Sequence, residues 1–362
     1  MTQWLVEIRV KGRKMSRLQN MRDPGRPVPR RRVLGILAAT AGMSLLGGRG
    51  ALAAGQPRQM VEWRGVALGT EARMVLTHDD PGVARAALTR CLQEVARLES
   101  IFSLYRSDSE LSRLNRQGRL KAPSHDLVRL LSISRRYGDL SGGAFDVSVQ
   151  PLWSLHARYY ADHPNGPGPD QESLERALRL IDYRAIDISP GEIAFQRSKM
   201  AITLNGIAQG YITERVGDLL RHMDFSNVLI NLGETRVLDE HPEGRPWRIG
   251  LSDPVNPGRH AGQIPLVNQA IASSAPSGFS FDTAGRHHHL FDPVLGHSPD
   301  KILGVSVIAP RATDADALST ALSVMGGEAG SVLIRAVDGA HAIVTKADGQ
   351  IIKIEGLGTR DL

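Results

Sequence analysis

A short β-branched run followed at once by a helix with a polar start constrains this chain most strongly. Residues 305–309 read as a buried strand, and residues 312–326 (A-T-D-A-D-A-L-S-T-A-L-S-V-M-G) follow after a proline. Thr313 is a good N-cap, acidic residues favour the first turn, and Gly326 is suited to end the helix. Leucines recur at helical spacing along one side. The segment therefore predicts a capped helix with one face on a core.

The same helix carries a carboxylate and a hydroxyl that together suit a hard cation. Asp316 and Thr320 are four residues apart, so both side chains project from one side of the helix near its N-terminus. Mg2+ prefers such oxygen ligands, and the pair would form half of its site. The alternative is a core helix whose Asp316 serves only the helix dipole, because capping of this kind is common. The helix alone leaves both interpretations open.

The first 53 residues have the layout of an export leader. Three arginines at positions 30–32 precede an apolar stretch at residues 33–46, and an Ala-Leu-Ala sequence at 51–53 offers small residues for cleavage. The arginine cluster resembles a twin-arginine signal loosely, since a proline precedes it. An ordinary export signal or a short anchor is the alternative. We predict a cleaved, twin-arginine-like leader at residues 1–53, a domain at residues 54–362 and a periplasmic location.

Charge and hydropathy exclude some classes of partner. The chain of 362 residues carries 44 Lys and Arg and 38 Asp and Glu, a net charge of +6. Residues 1–53 hold 11 of the basic and 2 of the acidic side chains, so residues 54–362 have 33 and 36, a net charge of −3. This removes the argument for nucleic-acid binding. No second apolar run is long enough to span a bilayer, so no stable membrane span is expected after leader cleavage.

Helical and strand periodicities alternate along the remaining chain, which predicts an α+β fold. Residues 83–102 and 125–137 read as amphipathic helices, the second closed by Gly138. Residues 66–76 read as one strand with a Gly-Thr interruption, which indicates a bulge or a close backbone approach. Residues 341–355 are expected to form a hairpin with an Asp-Gly turn.

A glycine-containing turn follows a predicted strand at residues 201–204. That strand is expected to pair with residues 185–194, and a helix is expected after Asn205-Gly206. A strand that leads through such a turn into a helix leaves unpaired N–H groups aimed at an anion. The segment is neither a P-loop nor a dinucleotide-binding motif, so a tight turn before a core helix is the alternative.

Seven short motifs occur in order along most of the mature chain. They are a Gly-Thr strand, F-S-L-Y-R-S-D-S-E-L-S-R-L-N, G-G-A-F-D-V-S-V-Q-P-L, G-I-A-Q-G-Y, W-R-I-G-L-S-D-P, H-L-F-D-P-V-L-G and A-D-A-L-S-T-A-L. Together, from about Gly65 to Gly326, they resemble the ApbE family, the FAD:protein FMN transferases, and seven motifs in order are much more specific than one. The export leader is further similar to that of NosX, a periplasmic member associated with nitrous-oxide reduction.

The resemblance implies a two-lobed, T-fold-like α+β domain with a flavin cleft between the lobes. It also implies a Mg2+-dependent transferase with FAD as the donor substrate. A threonine or serine hydroxyl of an exported or membrane-anchored acceptor flavoprotein would attack the FMN-side phosphorus, and AMP would leave. A NosR-like protein is one candidate acceptor, which would connect the chain to maturation of the nitrous-oxide reduction system.

Carried over motif by motif, the resemblance assigns roles to individual residues. The expected metal site consists of the Gly206 carbonyl, Asp316, Thr320 and the nearby Ser319. The expected FAD contacts are Leu68, Tyr105, Ala144, Phe145, Asp146, Thr203, Gln209 and Phe291. His289 is the expected general base, because a histidine with a pKa near neutrality suits that role. The helix N-terminus must then face the Asn205-Gly206 turn, with His289 on the rim.

The other two histidines of the H-H-H sequence have a different expectation. His287 and His288 are interpreted as part of a solvated polar loop. A transition-metal site formed by all three histidines is the less favoured alternative, because three consecutive residues of a strand cannot all turn to one ion.

This chain departs from the family pattern at three positions. Thr203 stands where the family commonly has Asp, Gln209 stands where it has Lys, and Glu234 follows Gly233 where a Gly-Gly pair is usual. Loss of a lysine near a pyrophosphate removes a point charge, which loss of a nearby carboxylate can offset. Two alternatives to transfer stay open: FAD hydrolysis to FMN and AMP, and a non-catalytic periplasmic protein for flavin binding or assembly.

Overall fold

An antiparallel sheet of eight strands forms the centre of the fold. The computed structural model describes residues 59–256 and 258–356. Its strands are β1 (Gln59–Ala67), β2 (Thr70–His78), β3 (Arg119–Lys121), β4 (Ile186–Ile188), β5 (Glu192–Phe195), β6 (Val228–Asn231), β7 (Thr235–Leu238), β8 (Trp247–Ser252), β9 (His260–Leu266), β10 (Ala270–Ser274), β11 (Ile302–Ala309), β12 (His341–Lys346) and β13 (Ile351–Glu355). The large sheet has the order β1-β2-β6-β7-β10-β11-β12-β13, and each pair of neighbours is antiparallel. The smaller sheets are β3-β5-β4 and β8-β9.

Helices cover the sheet and supply much of the main core. They are α1 (Pro81–Phe102), α2 (Glu110–Gln117), α3 (His125–Leu140), α4 (Gln150–Asp162), α5 (Gln171–Leu178), α6 (Ala208–His222), α7 (Ala312–Met325) and α8 (Gly327–Arg335). Helix α7 packs on α6 and on strands β10 and β11. Leu98 of α1, Val216 of α6 and Leu318 of α7 are fully buried in one apolar cluster. Burial of a side chain of this size contributes about 1.5–3 kcal/mol, so these helices are fixed firmly on the sheet.

A second, smaller apolar cluster lies apart from the main core. Leu152 of α4, Ala177 of α5 and Phe291 form its centre, and Trp153 and Phe281 pack against it. The mixture of helices with antiparallel sheets confirms the predicted α+β class. None of the helices among the described residues is long and apolar enough to cross a membrane. The predicted leader at residues 1–53 lies outside the described residues, and the boundary at residue 54 stays a prediction.

The predicted strand at residues 66–76 is wrong in one respect: it is a hairpin. Leu68 and Gly69 form the two-residue turn between β1 and β2, with φ of 54° and 76°. Two central residues with positive φ match the right-handed twist of the flanking strands, which is why such turns close hairpins. The Gly-Thr sequence therefore marks the end of a turn and the first residue of β2.

The predicted strand at residues 201–204 is also wrong. Strand β5 pairs with β3 and β4 instead, so residues 185–194 form a hairpin of their own. The backbone at residues 201–204 is satisfied by loop contacts, since Ile202 N donates to the Asn115 side chain and Thr203 N donates to the Val147 carbonyl. The turn and the helix that were predicted after this segment are present.

Most of the other predicted elements are confirmed with small shifts of their ends. Helix α1 spans Pro81–Phe102, and the C-terminal hairpin is present as β12 and β13. Helix α3 continues past Gly138 to Leu140. A Cβ at Gly138 would lie 2.6 Å from the Tyr183 ring, so this glycine permits close packing and does not end the helix.

Candidate functional site

A deep cleft is lined by parts of both apolar clusters. Helix α7, the start of α6, strands β10, β11 and β12, the β8-β9 hairpin and two loops around residues 144–147 and 289–291 line it. The space not filled by protein atoms is about 1780 Å³, open solvent at the mouth included. The cleft therefore extends across several elements of the fold and is open to solvent.

The charged lining of the cleft is acidic. Asp146, Glu234 and Asp316 contribute carboxylates, whereas no lysine or arginine is among the described residues that line the cleft. A phosphate-bearing ligand would therefore meet no positively charged side chain of the lysine or arginine type there, and it would need a cation to offset the repulsion.

Asp316 and Thr320 lie on the side of α7 that faces the start of α6. Gly210 N donates a 2.8 Å hydrogen bond to Asp316 Oδ2, and Thr320 Oγ1 donates to the Gly206 carbonyl at 3.4 Å. A Cβ at Gly206 would lie 2.9 Å from Thr320 Oγ1, and a Cβ at Gly210 would lie 2.3 Å from the Ala312 carbonyl. Glycine is therefore required at both positions for this close approach. The carboxylate, the hydroxyl and the carbonyl lie together, as the sequence predicted.

The N-terminus of α7 is not capped as the sequence predicted. Thr313 lies inside the first turn, fully buried, and its hydroxyl has no hydrogen-bond partner among the described residues. The carboxylate of Glu214 on α6 takes the capping role, because its Oε2 accepts a 2.7 Å hydrogen bond from Ala312 N. Glu214 also forms an ion pair with Arg236, and both side chains are almost completely buried. A group 98 residues away in sequence thus fixes the helix that carries Asp316.

Burial shifts the ionisation of the two carboxylates beside this helix. It raises the pKa of Asp316 to about 7 and the pKa of Glu234 well above its usual range, with the charge of Asp316 adding to the second shift. Hydrogen bonds from Gly210 N and Ser273 N oppose these shifts, and no basic side chain of the described residues does so. A divalent cation would favour the ionised forms of both groups. The oxygen donors present here fit a hard cation such as Mg2+.

Ser319 does not have the role that the sequence suggested. Its side chain is fully buried behind the cleft wall, where its hydroxyl pairs with Ser274 Oγ at 2.8 Å and donates to the Asp316 carbonyl at 3.0 Å. The hydroxyl is therefore engaged in fastening α7 to β10. This corrects the expectation of Ser319 as a metal ligand, because its oxygen is already bonded away from the cleft.

His289 lines the same cleft, as the sequence required. Its ring Nδ1 lies 3.1 Å from the Phe279 carbonyl, an acceptor, so Nδ1 carries the proton and donates it to that bond. Nε2 is then the basic nitrogen. Burial lowers the pKa of His289 to about 4, below the near-neutral pKa expected from the sequence, so the neutral imidazole is the dominant form at neutral pH. The ring is thus held in the tautomer that a general base needs.

The neighbouring histidines point away from His289. His288 is buried, and its Nε2 contacts the Pro299 carbonyl at 2.8 Å, so its predicted place in a solvated loop is wrong. His287 is half-buried against the Tyr160 ring. No group of three or more His, Cys, Asp or Glu side chains could hold a metal ion anywhere in residues 59–256 and 258–356. The transition-metal alternative therefore has no support.

The residues predicted to contact FAD divide between two adjoining cavities. The main cleft is lined by Ala144, Phe145, Asp146, Thr203, Gln209 and Phe291. Leu68 and Tyr105 line a smaller cavity beside it, and Gln209 borders both. An elongated ligand can therefore contact both groups. Asp146 accepts hydrogen bonds from Ser148 N, Ser148 Oγ and Tyr183 N, so its carboxylate mainly holds the local turn together.

Sequence reasoning missed two acidic residues of this region. Glu234 was noted only as a departure from a Gly-Gly pair, although it is 8% exposed and lines the cleft. Glu214 gave no signal, because a glutamate in an amphipathic helix usually lies on the solvated face. Residues 210–214 of α6 are all buried, and only the packing of α6 against α7 and β7 shows that Glu214 is enclosed.

A cleft that combines oxygen donors suited to a hard cation with an oriented neutral histidine has the groups that a phosphoryl-transfer enzyme needs. The model of the ApbE family matches residues 68–344. The chain belongs to the ApbE family.

Curated relatives and solved structures agree with this assignment. The FAD:protein FMN transferase of Haemophilus influenzae is 28% identical over 309 residues, covering 81% of this chain and 87% of that protein. The FAD:protein FMN transferase of Treponema pallidum is 27% identical over 319 residues, covering 81% and 86%. The crystal structure of the ApbE protein from Thermotoga maritima superposes with a TM-score of 0.72 at 28% identity, covering 82% of this chain and 97% of that one. The flavin transferase ApbE from Vibrio cholerae gives 0.70 at 25% identity with the same coverage.

Proposed function

We propose that this protein transfers FMN from FAD to a serine or threonine hydroxyl of an exported acceptor flavoprotein, with Mg2+ as cofactor. The observation that carries the proposal is the position of Asp316, Thr320 and the Gly206 carbonyl in one cleft with His289. The curated names of its relatives support flavin transfer in particular. The cleft and the smaller cavity beside it together offer an elongated space for FAD.

The residues of this cleft can divide the reaction between them. Asp316, Thr320 and the Gly206 carbonyl would hold the cation, which when bound neutralises charge on the pyrophosphate. His289 Nε2 accepts the proton of the acceptor hydroxyl as the hydroxyl oxygen bonds to the FMN-side phosphorus. The bond from that phosphorus to the bridging oxygen breaks, and AMP leaves with this oxygen. FMN stays on the acceptor as a phosphoester.

The location and the acceptor are parts of the proposal that depend on sequence. The leader at residues 1–53 supports export to the periplasm by the twin-arginine route, followed by cleavage. Its similarity to the NosX leader supports an acceptor of the NosR type and a role in nitrous-oxide reduction. Fractionation of cells that carry a defective twin-arginine system tests the route, with retention of the uncleaved chain in the cytoplasm as the expected result.

Transfer is tested directly by the mass of the acceptor. The purified protein is incubated with FAD, Mg2+ and a NosR-like acceptor domain, and an acceptor mass increased by one FMN is expected. The gain in mass is expected to vanish when the single acceptor hydroxyl is removed. In His289→Ala the rate of the gain is expected to be about 10²–10⁴-fold lower. Release of FMN and AMP at an equal rate without acceptor would indicate hydrolysis. Bound FAD with neither product would indicate a binding protein.

The pH dependence of the reaction follows from the environment of His289. Its pKa is lowered from 6.5 to about 4 by burial, so the basic form persists as pH falls and is lost only near pH 4. At saturating Mg2+, which favours the ionised form of Asp316, we expect kcat/KM for FAD to stay level between pH 7 and pH 5 and to fall below that. Initial rates measured from pH 4 to pH 8 check this. An acid limb centred near pH 6.5 that persists at saturating Mg2+ would contradict the assignment.

A further inference from the structure

Glu234 is a buried carboxylate of the cleft to which the mechanism above gives no task. It lies immediately before β7, is 8% exposed and lines the cleft. Its Oε2 accepts only a long hydrogen bond, 3.3 Å, from Ser273 N, and its Oε1 accepts none from the described residues. An ionised carboxylate in such a place is costly unless it is paired or coordinates a metal.

One side of the cleft wall brings Glu234 close to Asp316. Gly210 N is bonded to Asp316, and the preceding residue Gln209 rests against Gly233, where a Cβ would lie 2.5 Å from Gln209 Nε2. Glu234 follows Gly233 directly. Two consecutive residues at the start of α6 therefore make both contacts: Gln209 touches Gly233, and Gly210 bonds the carboxylate of Asp316. Gln209 is neutral, so it offsets the charge of neither carboxylate.

Strand β10 and helix α7 provide a second, independent connection between Glu234 and Asp316. Ser273, which donates to Glu234, is followed on β10 by Ser274, and the hydroxyl of Ser274 is bonded to Ser319 on α7. Ser319 in turn donates to the backbone carbonyl of Asp316. A short chain of bonded neighbours thus links the carboxylate of Glu234 to the backbone of Asp316 across β10 and α7.

Both carboxylates have an oxygen that is available to a ligand. Asp316 is 4% exposed, and its Oδ1, like Glu234 Oε1, accepts no hydrogen bond from the described residues. No lysine or arginine of the described residues lines the cleft to neutralise them. Two like charges that are buried together and unpaired repel each other strongly, and a divalent cation between them removes that repulsion.

We propose that Glu234 is a further ligand of the divalent cation held by Asp316, Thr320 and the Gly206 carbonyl. The inference depends on the cation of the proposed function. Two carboxylates, a hydroxyl and a carbonyl are hard oxygen donors, and they leave room in the octahedral shell of Mg2+ for phosphate oxygens of FAD. A second carboxylate makes the bound site nearly neutral and raises the affinity for the cation before FAD binds.

Metal affinity measured without FAD tests this directly. Mn2+ is titrated into the purified full chain, and free Mn2+ is followed by electron paramagnetic resonance. We expect the Kd of Glu234→Gln to be about tenfold or more above that of the wild type. Glu234→Asp, which keeps a carboxylate, is expected to fall between them. Glu328→Gln removes the same charge from an exposed position on α8 and is expected to match the wild type.

Thermal unfolding gives a second readout that a purely structural role would not produce. Without metal, at a pH high enough to ionise both carboxylates, Glu234→Gln is expected to melt at a higher temperature than the wild type, because a buried repulsion is lost. Saturating Mn2+ is expected to raise the melting temperature of Glu234→Gln by less than it raises that of the wild type. An unfolded or destabilised Glu234→Gln protein would contradict the proposal, since the proposal requires the charge to be unfavourable without the cation.

The two hypotheses fail in different ways. If Glu234→Gln binds Mn2+ with the affinity of the wild type while FMN transfer is intact, the role of Glu234 is overturned and the proposed function stands. If the wild type binds no Mn2+, the cation of the proposed function is overturned together with the role of Glu234.

Discussion

Replacement of Asp316 by asparagine is expected to lower the rate of FMN transfer on the order of a thousand-fold or more. A metal ion contributes several kcal/mol to stabilising the charge of such a transition state, and each 1.36 kcal/mol is a factor of ten in rate. The protein is expected to fold, because asparagine removes a buried charge and its amide oxygen can still accept the 2.8 Å hydrogen bond from Gly210 N. The measurement is the initial rate of acceptor flavinylation at saturating FAD.

The matched control is Asp314→Asn, which removes the same charge from the first turn of the same helix. Asp314 is half-buried and does not line the cleft, so its loss is expected to change the rate by less than tenfold. Excess Mn2+ is expected to restore part of the activity of Asp316→Asn if the loss is one of cation affinity. Equal rates for wild type and Asp316→Asn at limiting Mg2+ would rule out Asp316 as a ligand.

Replacement of Glu214 by alanine is expected to reduce the free energy of unfolding by about 3–5 kcal/mol. Glu214 and Arg236 are 4% and 3% exposed, and removal of one partner leaves a buried charge without compensation. Ala312 N, which donates a 2.7 Å hydrogen bond to Glu214, also loses its partner, and the first turn of α7 is then no longer held. Denaturant unfolding measures the change. Activity is expected to fall as well, because α7 carries Asp316.

Two comparisons separate the buried ion pair from a general effect of losing a glutamate. Glu243→Ala removes the 2.8 Å contact to Arg245 at an exposed position and is expected to cost less than about 1 kcal/mol. The double replacement Glu214→Leu with Arg236→Met is expected to recover part of the lost stability, because no charge is then left buried. If the double variant is less stable than Glu214→Ala, the explanation by an uncompensated Arg236 is wrong.

The candidate site could be predicted in part because some of its geometry is local. Asp316 and Thr320 share one side of α7 since residues four apart always do so in a helix. Motif order brought Gly206 and His289 into the same hypothesis, and the structure places both in the cleft with that helix. Ser319 was misjudged for the same local reason: it neighbours Thr320 in sequence, but its direction on the helix turns it to Ser274.

Other parts of the site depend on contacts that no local pattern records. The helix cap was assigned to Thr313 because its sequence fits, yet the tertiary structure offers Glu214 from another helix. The strand predicted at residues 201–204 has suitable side chains, but its backbone bonds to Asn115 and Val147. In both cases a partner distant in sequence satisfies the polar groups that local reasoning had assigned to a neighbour.

The sequence by itself determined the α+β class, the family and the residues of α7 that face one side, because periodicity and motif order are properties of the chain. Only the tertiary structure decided that Glu234 lines the same cleft as Asp316, that Glu214 anchors the helix and that His289 is held by Phe279. The physical reason is separation along the chain: the bond from Gly210 to Asp316 spans 106 residues. Such contacts form only when helices and strands pack, and packing selects among many partners that the sequence permits equally.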